Sequence, residues 1–572
     1  MTRLKKLKNL FKTYSIDGYI VPKNDEFFGE YVSESKNILK FISNFTGSYG
    51  FALILKNKNY LFVDGRYTLQ GKIQSGKNFK VITIPKRLPK NILGNKKFSI
   101  GFDPKLYTEL TIKRLFEGSG CTLKSLNQNL IDKIWIRKNT QKVKKFYKLK
   151  DKDVGQSVRN KIKKLTKVLN KNKIDFQFVS ASENVAWLLN LRGADSSFTP
   201  IPNSYLILNN KSEVYFFCDM KKIDNKLKKD LKGINILDIK YIQNFVNKIK
   251  NKRFQLDSGS CSIFFKNIIN KNNIIVEKQD PIYFFKSIKN KTEIQNTIKA
   301  HLYDGAALTK FLFWLKNNFK NKKISEISAQ EKLLEFRKSN KMFKSLSFPT
   351  ISSSGPNGAI IHYKASNKSN RVLKKGDIYL VDSGGQYNFG TTDVTRTISL
   401  DNNQQRIKNI YTRVLKGHIA VADFKLNKNT SGSEIDFAAR MPLKEINLDY
   451  PHGTGHGVGY FLNVHEGPHA ISMGNKIKFK EGMIVSNEPG YYEKGNFGIR
   501  IENLVTVKRI NKNLKFVNLT LVPIDKSLVD IKLMNKNEIN WLNNYHLKVY
   551  NSLKKFMNKA ELVNLKNCCS DI

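Results

Sequence analysis

Hydrophobic and polar positions repeat one pattern twice in the first half of the chain. A basic amphipathic segment precedes the short apolar run Ser15–Val21, and the same form returns at Lys173–Val179. An aromatic-rich stretch that ends in a glycine turn follows each run. Strand-like segments then come in pairs, at Phe51–Leu55 with Tyr60–Val63 and at Ser204–Leu208 with Val214–Cys218. Tandem α/β domains of similar fold are the simplest explanation, and chance recurrence of a common strand–helix pattern is the alternative.

A third region is predicted to begin near residue 290. Asn290 stands three residues before Glu293, which is the spacing of a capping box, and apolar residues then recur at helical spacing as far as Leu315. Ser328 and Glu331 form a second candidate box. Farther on, the chain changes to short strands, glycine turns and clustered polar residues. We therefore predict domains at 1–137, 154–288 and 290–572, with the lysine-dense segment between the first two as a linker or exposed helix.

The composition adds a large positive charge to this picture. The 572 residues include 100 Lys and Arg but only 47 Asp and Glu, a net charge of +53. A nucleic-acid or acidic-membrane partner would favour a basic tail or face. Here the lysines are spread over every region, which is typical of a solvated surface, so we predict no specific nucleic-acid partner. Hydrophobic residues make up 40% of the chain, enough for real cores, which excludes a disordered protein.

The cysteine pattern and the lack of a recognisable signal-peptide pattern favour a reducing compartment. The five cysteines include no CxxC pair, which argues against a disulfide framework and a cysteine-based zinc site. The N-terminus lacks the apolar run of a signal peptide, and no 18-residue uncharged apolar stretch occurs. We expect a cytoplasmic protein without a membrane partner. The Cys568-Cys569 tail receives no role.

Histidines and carboxylates cluster in the third region. Six of the eight histidines lie between residues 362 and 469. The apolar run Ile378–Gly385 contains Asp382, and eleven residues later Asp393 opens a β-branched run, so the two runs could pair as a hairpin. Two buried carboxylates in contact repel each other, and each stays protonated unless a cation joins them.

Three further candidate ligands come later in the chain. His456 lies in a glycine-rich segment, Glu488 precedes a Pro-Gly turn, and the period of two along a strand puts Glu502 on the same face as Arg500. Together with Asp382 and Asp393 they give four carboxylates and one imidazole. Such an oxygen-rich set suits Mn²⁺, Co²⁺ or Mg²⁺ better than a closed zinc site, and could hold two ions about 3.5–4 Å apart. The alternative is ordinary acids at strand ends and turns.

Long motifs carry a family resemblance over nearly the whole chain. They include LSFPTISSSGPNGAIIHY (346–363), YLVDSGGQY (379–387), GTTDVTRT (390–397), HGTGHGVG (452–459), FLNVHEGP (461–468) and NEPGYYEKGNFGIRIEN (487–503). With them the chain resembles the aminopeptidase P (Xaa-Pro aminopeptidase) family of pita-bread metallopeptidases, in its long three-domain form. The resemblance implies an α/β (α+β) fold class, with two related creatinase-like domains before a pita-bread catalytic domain, and a homodimer.

The resemblance also assigns the metal ligands. Asp382 and Asp393 are implied as ligands, with Asp393 touching both ions. His456 and Glu488 would bind one ion, and Glu502 would bridge both. It implies two divalent ions per chain, with Mn²⁺ expected first and Co²⁺ or Zn²⁺ as alternatives.

The remaining site residues are implied by the same motifs. His362, His452 and His465 fall on active-site histidines of the family, which hold the substrate and the developing charge. Glu488 is also our candidate proton shuttle. Arg500 is expected to orient a metal-binding carboxylate. One departure is Asn487, where many relatives carry Asp.

The implied reaction is hydrolysis of the first peptide bond of a peptide with proline at position two, by a hydroxide that bridges the two ions. Arg66 is expected to contact the substrate beyond proline, and the alternative is a surface arginine paired with Asp64. A prolidase that acts on Xaa-Pro dipeptides is the nearest alternative function. A metal-free binding protein on the same fold is the alternative from another class.

Overall fold

A computed structural model describes residues 2–137, 143–401 and 404–572. The chain divides into two compact units, residues 1–283 and 284–572. Part of the predicted linker, residues 138–142, lies outside the described residues. The rest of that linker contains a short strand, Tyr147–Lys148, and the start of a short helix, Asp151–Val154. Within the described part of the chain, no helix is both long and apolar enough to cross a membrane.

The first unit contains two six-stranded sheets with the same topology. The first sheet runs, in spatial order, through Lys80–Thr83, Asn59–Val63, Phe51–Leu55, Gly18–Pro22, Ser99–Phe102 and Thr122–Ser125. The second runs through Asn235–Asp238, Val214–Cys218, Ser204–Asn209, Phe176–Val179, Arg253–Leu256 and Ile274–Glu277. In both, the strand that comes first in the chain is antiparallel to the second and parallel to the fifth. The shared order of strands confirms the predicted tandem repeat.

Helices cover these sheets because the inner strands, such as Gly18–Pro22 and Ser204–Asn209, are buried over their whole length and must be shielded from water. The helices of the first repeat are Arg3–Thr13, Ile38–Ser43, Thr68–Ser75, Pro89–Leu93 and Glu109–Phe116. Those after the short helix Asp151–Val154 are Val158–Lys171, Ser182–Leu188, Asn225–Asp230, Ile242–Lys248 and Ile263–Asn270, with Pro281–Ser287 at the boundary between the units.

The second unit surrounds several small antiparallel sheets with long helices. The helices are Lys291–Asn318, Glu326–Lys338, Gln405–Ala422, Gly432–Lys444, Lys536–Leu553 and Lys559–Cys569. The strands are Phe343–Leu346, Ile351–Ser354, Ile378–Ser383, Gly385–Tyr387, Gly390–Thr391, Val394–Ser399, Gly455–His456, Ala470–Ile471, Ile484–Asn487, Gly490–Glu493, Phe497–Arg500, Asn503–Ile510 and Asn513–Asn518.

The observed helix starts test both predicted capping boxes. The first is confirmed, because the Asn290 side chain accepts from the Glu293 amide while Glu293 accepts from the Asn290 amide. The second is wrong in its register. Ser325, not Ser328, is the N-cap, and Ser328 is its partner three residues on. The Ser325 hydroxyl accepts from the Ser328 amide and begins the helix there, so Glu331 lies one turn inside it.

Two antiparallel pairings bring the predicted ligands to neighbouring strand ends. Ile378–Ser383 pairs with Val394–Ser399 in the register Asp382 to Thr395, as the predicted hairpin requires. In another sheet, Asn487 lies opposite Asn503. Glu488 and Glu502 flank that pair and therefore leave the sheet at the same edge.

Candidate metal centre

The structure brings three predicted ligands within reach of one ion. Ligand atoms of Asp393, His456 and Glu502 all lie within 4.8 Å of one another. His456 Nε2 is 3.4 Å from Asp393 Oδ2 and 3.5 Å from Glu488 Oε1. An imidazole nitrogen and carboxylate oxygens that converge at these distances form the donor set of a divalent transition metal.

A backbone contact fixes the tautomer of His456. Its Nδ1 donates to the Gly457 carbonyl at 3.0 Å, so the Nε2 lone pair faces the carboxylates of Asp393 and Glu488. The Nε2 lone pair and the two carboxylates are donors that face one another, and a divalent cation could be shared between them. A second hydrogen bond on the other ring nitrogen is the usual way in which proteins orient a histidine toward a metal.

Asp382 has one oxygen bound and one free. Its Oδ2 accepts from Arg500 Nη2 at 2.7 Å. Its Oδ1 is buried, and among the described residues it has no hydrogen-bond partner. An unpaired buried carboxylate oxygen costs free energy, so it indicates a ligand that the protein itself does not supply.

The electrostatics of the two most buried carboxylates support the same conclusion. Burial, followed by repulsion from Asp382 and Glu488, raises the pKa of Asp393 well above its usual value. Burial and repulsion from Asp393 and Glu488 do the same to the pKa of Glu502. Bound cations would offset this repulsion, so the residues fit a metal centre.

The three predicted histidines lie around this cluster. The His465 ring stands edge-on to His456, with ring centroids 4.4 Å apart. His452 donates from Nδ1 to the Gly453 carbonyl, and its Nε2 accepts from the Tyr492 hydroxyl at 2.9 Å. His362 is half-buried, and the carbonyl of its neighbour Ile361 lies 3.4 Å from Arg500 Nη2.

Sequence comparisons identify the family of this chain. The model of metallopeptidase family M24 matches residues 295–509, and that of the C-terminal region of peptidase M24 matches residues 512–572. The creatinase/prolidase N-terminal domain is matched twice, at residues 3–134 and 137–293. A probable Xaa-Pro aminopeptidase P from Laccaria bicolor is 38% identical over 97% of this chain and 90% of its own. The chain belongs to metallopeptidase family M24.

Solved structures extend the M24 match to the fold. X-prolyl aminopeptidase from Caenorhabditis elegans, described as a cytosolic enzyme with a di-nuclear active site, has a TM-score of 0.93 and 30% identity over 100% of this chain and 99% of its own. A Xaa-Pro dipeptidase from Bacillus anthracis has a TM-score of 0.54 and 23% identity over 64% of this chain and 99% of its own, which shows a shared fold over that part. The predicted fold class is confirmed: two creatinase-like α/β domains precede a pita-bread M24 domain. The protein is therefore a metallopeptidase.

Several polar residues of the M24 domain were missed by sequence reasoning. Thr395 Oγ1 donates to Glu502 Oε2 at 2.8 Å and accepts from Arg500 Nε at 3.1 Å. Tyr492 accepts from Arg500 Nη1 at 2.6 Å, and burial raises its pKa to about 12. Thr395 could have been found, because it lies two residues after Asp393 and thus on the same face of a strand. Tyr492 carries no comparable signal.

Arg66 lies in the first unit, in an ion pair with Asp64. Its Nη2 is 2.6 Å from Asp64 Oδ2, and the two side chains are 27% and 22% exposed. This is the pairing with Asp64 predicted as the alternative to substrate contact. A paired arginine can still present its remaining N–H groups to a ligand, so the substrate role stays a prediction.

Proposed function

We propose that this metallopeptidase removes the N-terminal residue from peptides whose second residue is proline, using two divalent metal ions per chain. The observation that carries the proposal is the set of converging, mutually repelling carboxylates at His456, in a chain that matches the X-prolyl aminopeptidase of C. elegans over its whole length. A bond that precedes proline has no N–H and is conformationally restricted, so it calls for a dedicated site.

Asp382, Asp393, His456, Glu488 and Glu502 would hold the two ions. Mn²⁺ is our first expectation, because four carboxylates and one imidazole are hard, oxygen-rich donors; Co²⁺ or Zn²⁺ are the alternatives. When bound, the ions would supply a hydroxide at neutral pH, which we expect to bridge them, and would polarise the scissile carbonyl.

Glu488 is suited to move a proton. Its side chain is 18% exposed, against 6% for Asp393, so it is the more accessible of the two to water and to a leaving amine. Ser486 Oγ donates to Glu488 Oε1 at 3.0 Å and holds it in place while the other oxygen stays available. A carboxylate held in this way can take a proton from the attacking water and pass it on.

His465 and His362 would donate hydrogen bonds to the substrate carbonyl oxygen as negative charge develops on it. The ring of His465 already stands against His456, at the edge of the proposed metal site. His452 would help to hold the substrate, and its link to Tyr492 keeps its ring in one orientation.

Arg500 would orient the ligands. It binds Asp382 directly at 2.7 Å, and it reaches Glu502 through the Thr395 hydroxyl. Its positive charge also opposes the repulsion within the carboxylate cluster. It acts to lower the pKa of both Asp393 and Glu502, against the larger effects of burial and neighbouring carboxylates.

Architecture favours an aminopeptidase over a prolidase. The dipeptidase match covers 64% of this chain, whereas the aminopeptidase relatives match nearly all of it, both creatinase-like domains included. A metal-free binding protein would have no need of five converging donors. A cytoplasmic location and a homodimer remain proposals.

Metal analysis of the purified protein and a peptide assay test this function together. We expect about two divalent ions per chain and release of Arg from Arg-Pro-Pro, with little cleavage of Arg-Pro. Arg-Ala-Pro serves as the matched control peptide and should be a poor substrate. Preference for Arg-Pro would favour the prolidase, and absence of both metal and cleavage would favour the binding protein.

A further inference from the structure

Glu326 is a fully buried carboxylate outside the metal centre. It is the first residue of the helix Glu326–Lys338, and its relative exposure is 0%. Its two oxygens accept five hydrogen bonds, at 2.8–3.0 Å, from the Ser354 amide, Asn357 Nδ2 (to both oxygens), the Tyr363 hydroxyl and the Arg371 amide. The proposed reaction assigns nothing to this residue.

These donors surround His362 in the chain. Ser354 and Asn357 precede it, Tyr363 follows it directly, and Arg371 closes the segment. Arg371 contacts Glu326 through both of its backbone groups. Its amide donates to the carboxylate, and its carbonyl accepts from the Glu326 amide at 2.9 Å. One carboxylate thus fastens the segment 354–371 at both ends and in the middle.

The other side of His362 is fastened to the metal centre. The Ile361 carbonyl accepts from Arg500 Nη2 at 3.4 Å, and Arg500 binds Asp382. Gly358 lies so close to the strand of Arg500 that an added Cβ would come within 2.9 Å of the Gly498 nitrogen. Both neighbours of His362 are therefore anchored, one to Arg500 and the other to Glu326.

Only a carboxylate satisfies this arrangement. The five contacts come from four donor groups, which are two backbone amides, the Asn357 amide and the Tyr363 hydroxyl, and an ionised carboxylate offers acceptors to all of them. Burial raises the pKa of Glu326, whereas these hydrogen bonds act to lower it. A buried anion carries a desolvation cost, so its presence here calls for a compensating role.

We infer that Glu326 is a positioning residue for the metallopeptidase reaction. It fixes the segment 354–371 and so holds His362 where it can meet the substrate. The inference rests on the proposed function, in which His362 binds the developing charge. A small displacement of such a donor costs much of the rate.

The test compares Glu326→Gln with Glu331→Gln. Whichever way the glutamine amide is turned, its NH₂ group meets at least two donors, whereas Glu331 is exposed on the same helix and serves as the matched control. We expect Glu326→Gln to lower kcat/KM on Arg-Pro-Pro by about tenfold or more with the metal content unchanged, and Glu331→Gln to have no effect.

A double-mutant cycle shows whether Glu326 acts through His362. In a His362→Ala background, Glu326→Gln should change kcat/KM less than about twofold, because the residue that it positions is gone. A full tenfold loss in that background would overturn the inference, as would wild-type kcat/KM in the single variant. If Glu326→Gln fails to fold, Tyr363→Phe removes one of the five contacts and should show the same non-additivity at smaller size.

Amide hydrogen exchange separates this inference from the proposed function. The Ser354 and Arg371 amides donate to Glu326, so their exchange should accelerate in Glu326→Gln and not in Glu331→Gln, whether or not any Xaa-Pro peptide is cleaved. Unchanged protection would overturn the positioning role. Faster exchange in a protein that cleaves no Xaa-Pro peptide would count against the proposed function alone.

Discussion

The pKa values of two buried glutamates of the M24 domain are shifted in opposite directions. Glu502 and Glu466 are each almost completely buried. Burial acts to raise both pKa values. At Glu502 the neighbouring carboxylates add to that effect, whereas at Glu466 the charges of Lys286 and Lys289 outweigh it and lower the pKa. The lysine Nζ atoms lie 3.0 and 2.6 Å from the Glu466 oxygens, and both lysine side chains are at most 2% exposed.

The difference shows that burial alone does not tell what a carboxylate is for. Glu466 is surrounded by cations of the chain. Its negative charge is therefore balanced within the protein, and the cluster has a structural role. Asp393 and Glu502 face other carboxylates, with Arg500 as the cation that opposes them. The proposed metal ions would balance the negative charge of carboxylates that repel one another in this way.

Asp393→Asn removes one of the repelling carboxylates and is expected to have the largest effect. With metal, activity on Arg-Pro-Pro should fall by orders of magnitude, because the proposed metal centre loses the charge of one ligand. In EDTA, the melting temperature should rise above that of the wild type, because one of the repelling carboxylates is gone. Both effects are measured on the same preparation, by peptide assay and by thermal unfolding.

Asp423→Asn, an exposed acid, is the control and should change neither quantity. Near wild-type turnover of Asp393→Asn with Mn²⁺ would rule out the dinuclear assignment. If Asp393→Asn melts at a lower temperature than the wild type in EDTA, the charges of the acidic cluster are balanced without metal, as the charge of Glu466 is.

Lys289→Met tests the Glu466 cluster, in which the cations belong to the chain. It removes the cation 2.6 Å from Glu466 and leaves the carboxylate with Lys286. Loss of one partner from a buried ion cluster should lower the free energy of unfolding by about 3–5 kcal/mol. Urea denaturation measures it, with the exposed Lys291→Met as the matched control. A loss below about 1 kcal/mol would make the cluster no more than a surface ion pair.

The pH dependence of the Glu466 cluster is set by the sign of its pKa shift. The folded pKa lies below the usual 4.5, so the stability that the carboxylate contributes is complete above that pH and is lost as the pH falls through the folded value. The difference in unfolding free energy between wild type and Glu466→Gln should therefore be full at pH 7 and shrink below about pH 4.5. A constant difference down to pH 3 would contradict the lowered pKa.

The sequence predicted the acidic centre but not the Glu466 cluster, for a physical reason. Asp382, Asp393, Glu488 and Glu502 stand at strand ends and glycine turns, where a period of two and local turn chemistry reveal which face they share. Lys286 and Glu466 are 180 positions apart, and each looks like a surface residue of its segment. Only the tertiary fold pairs them. Glu326 was missed for the same reason, because its partners lie 28 to 45 positions away.

His465 connects the two regions, since it precedes Glu466 and its ring lies against His456. His465→Ala should lower kcat by roughly 10²-fold, as loss of a donor to the developing oxyanion does, while both metal ions stay bound. His456→Ala is the comparison variant and should lose metal. Steady-state kinetics and metal analysis of both variants decide between these roles. Metal loss in His465→Ala would make His465 a ligand.

The smallest effect is expected at Arg66, whose ion pair with Asp64 is more exposed than the Glu466 cluster and, unlike the Asp393 and Glu502 cluster, joins one carboxylate to one cation. Its side chains are 27% and 22% exposed, and a pair of this kind contributes about 0–1 kcal/mol to stability. Arg66→Ala should therefore leave the melting temperature nearly unchanged.

If the Arg66 guanidinium binds the substrate beyond proline, KM for longer Xaa-Pro peptides should rise in Arg66→Ala while kcat changes less, the pattern of lost uniform binding. Both constants are measured on a tripeptide and a nonapeptide, with the exposed Arg87→Ala as control. Unchanged KM on both peptides would leave Arg66 as the structural partner of Asp64, and the selection of longer peptides would then have to come from other residues.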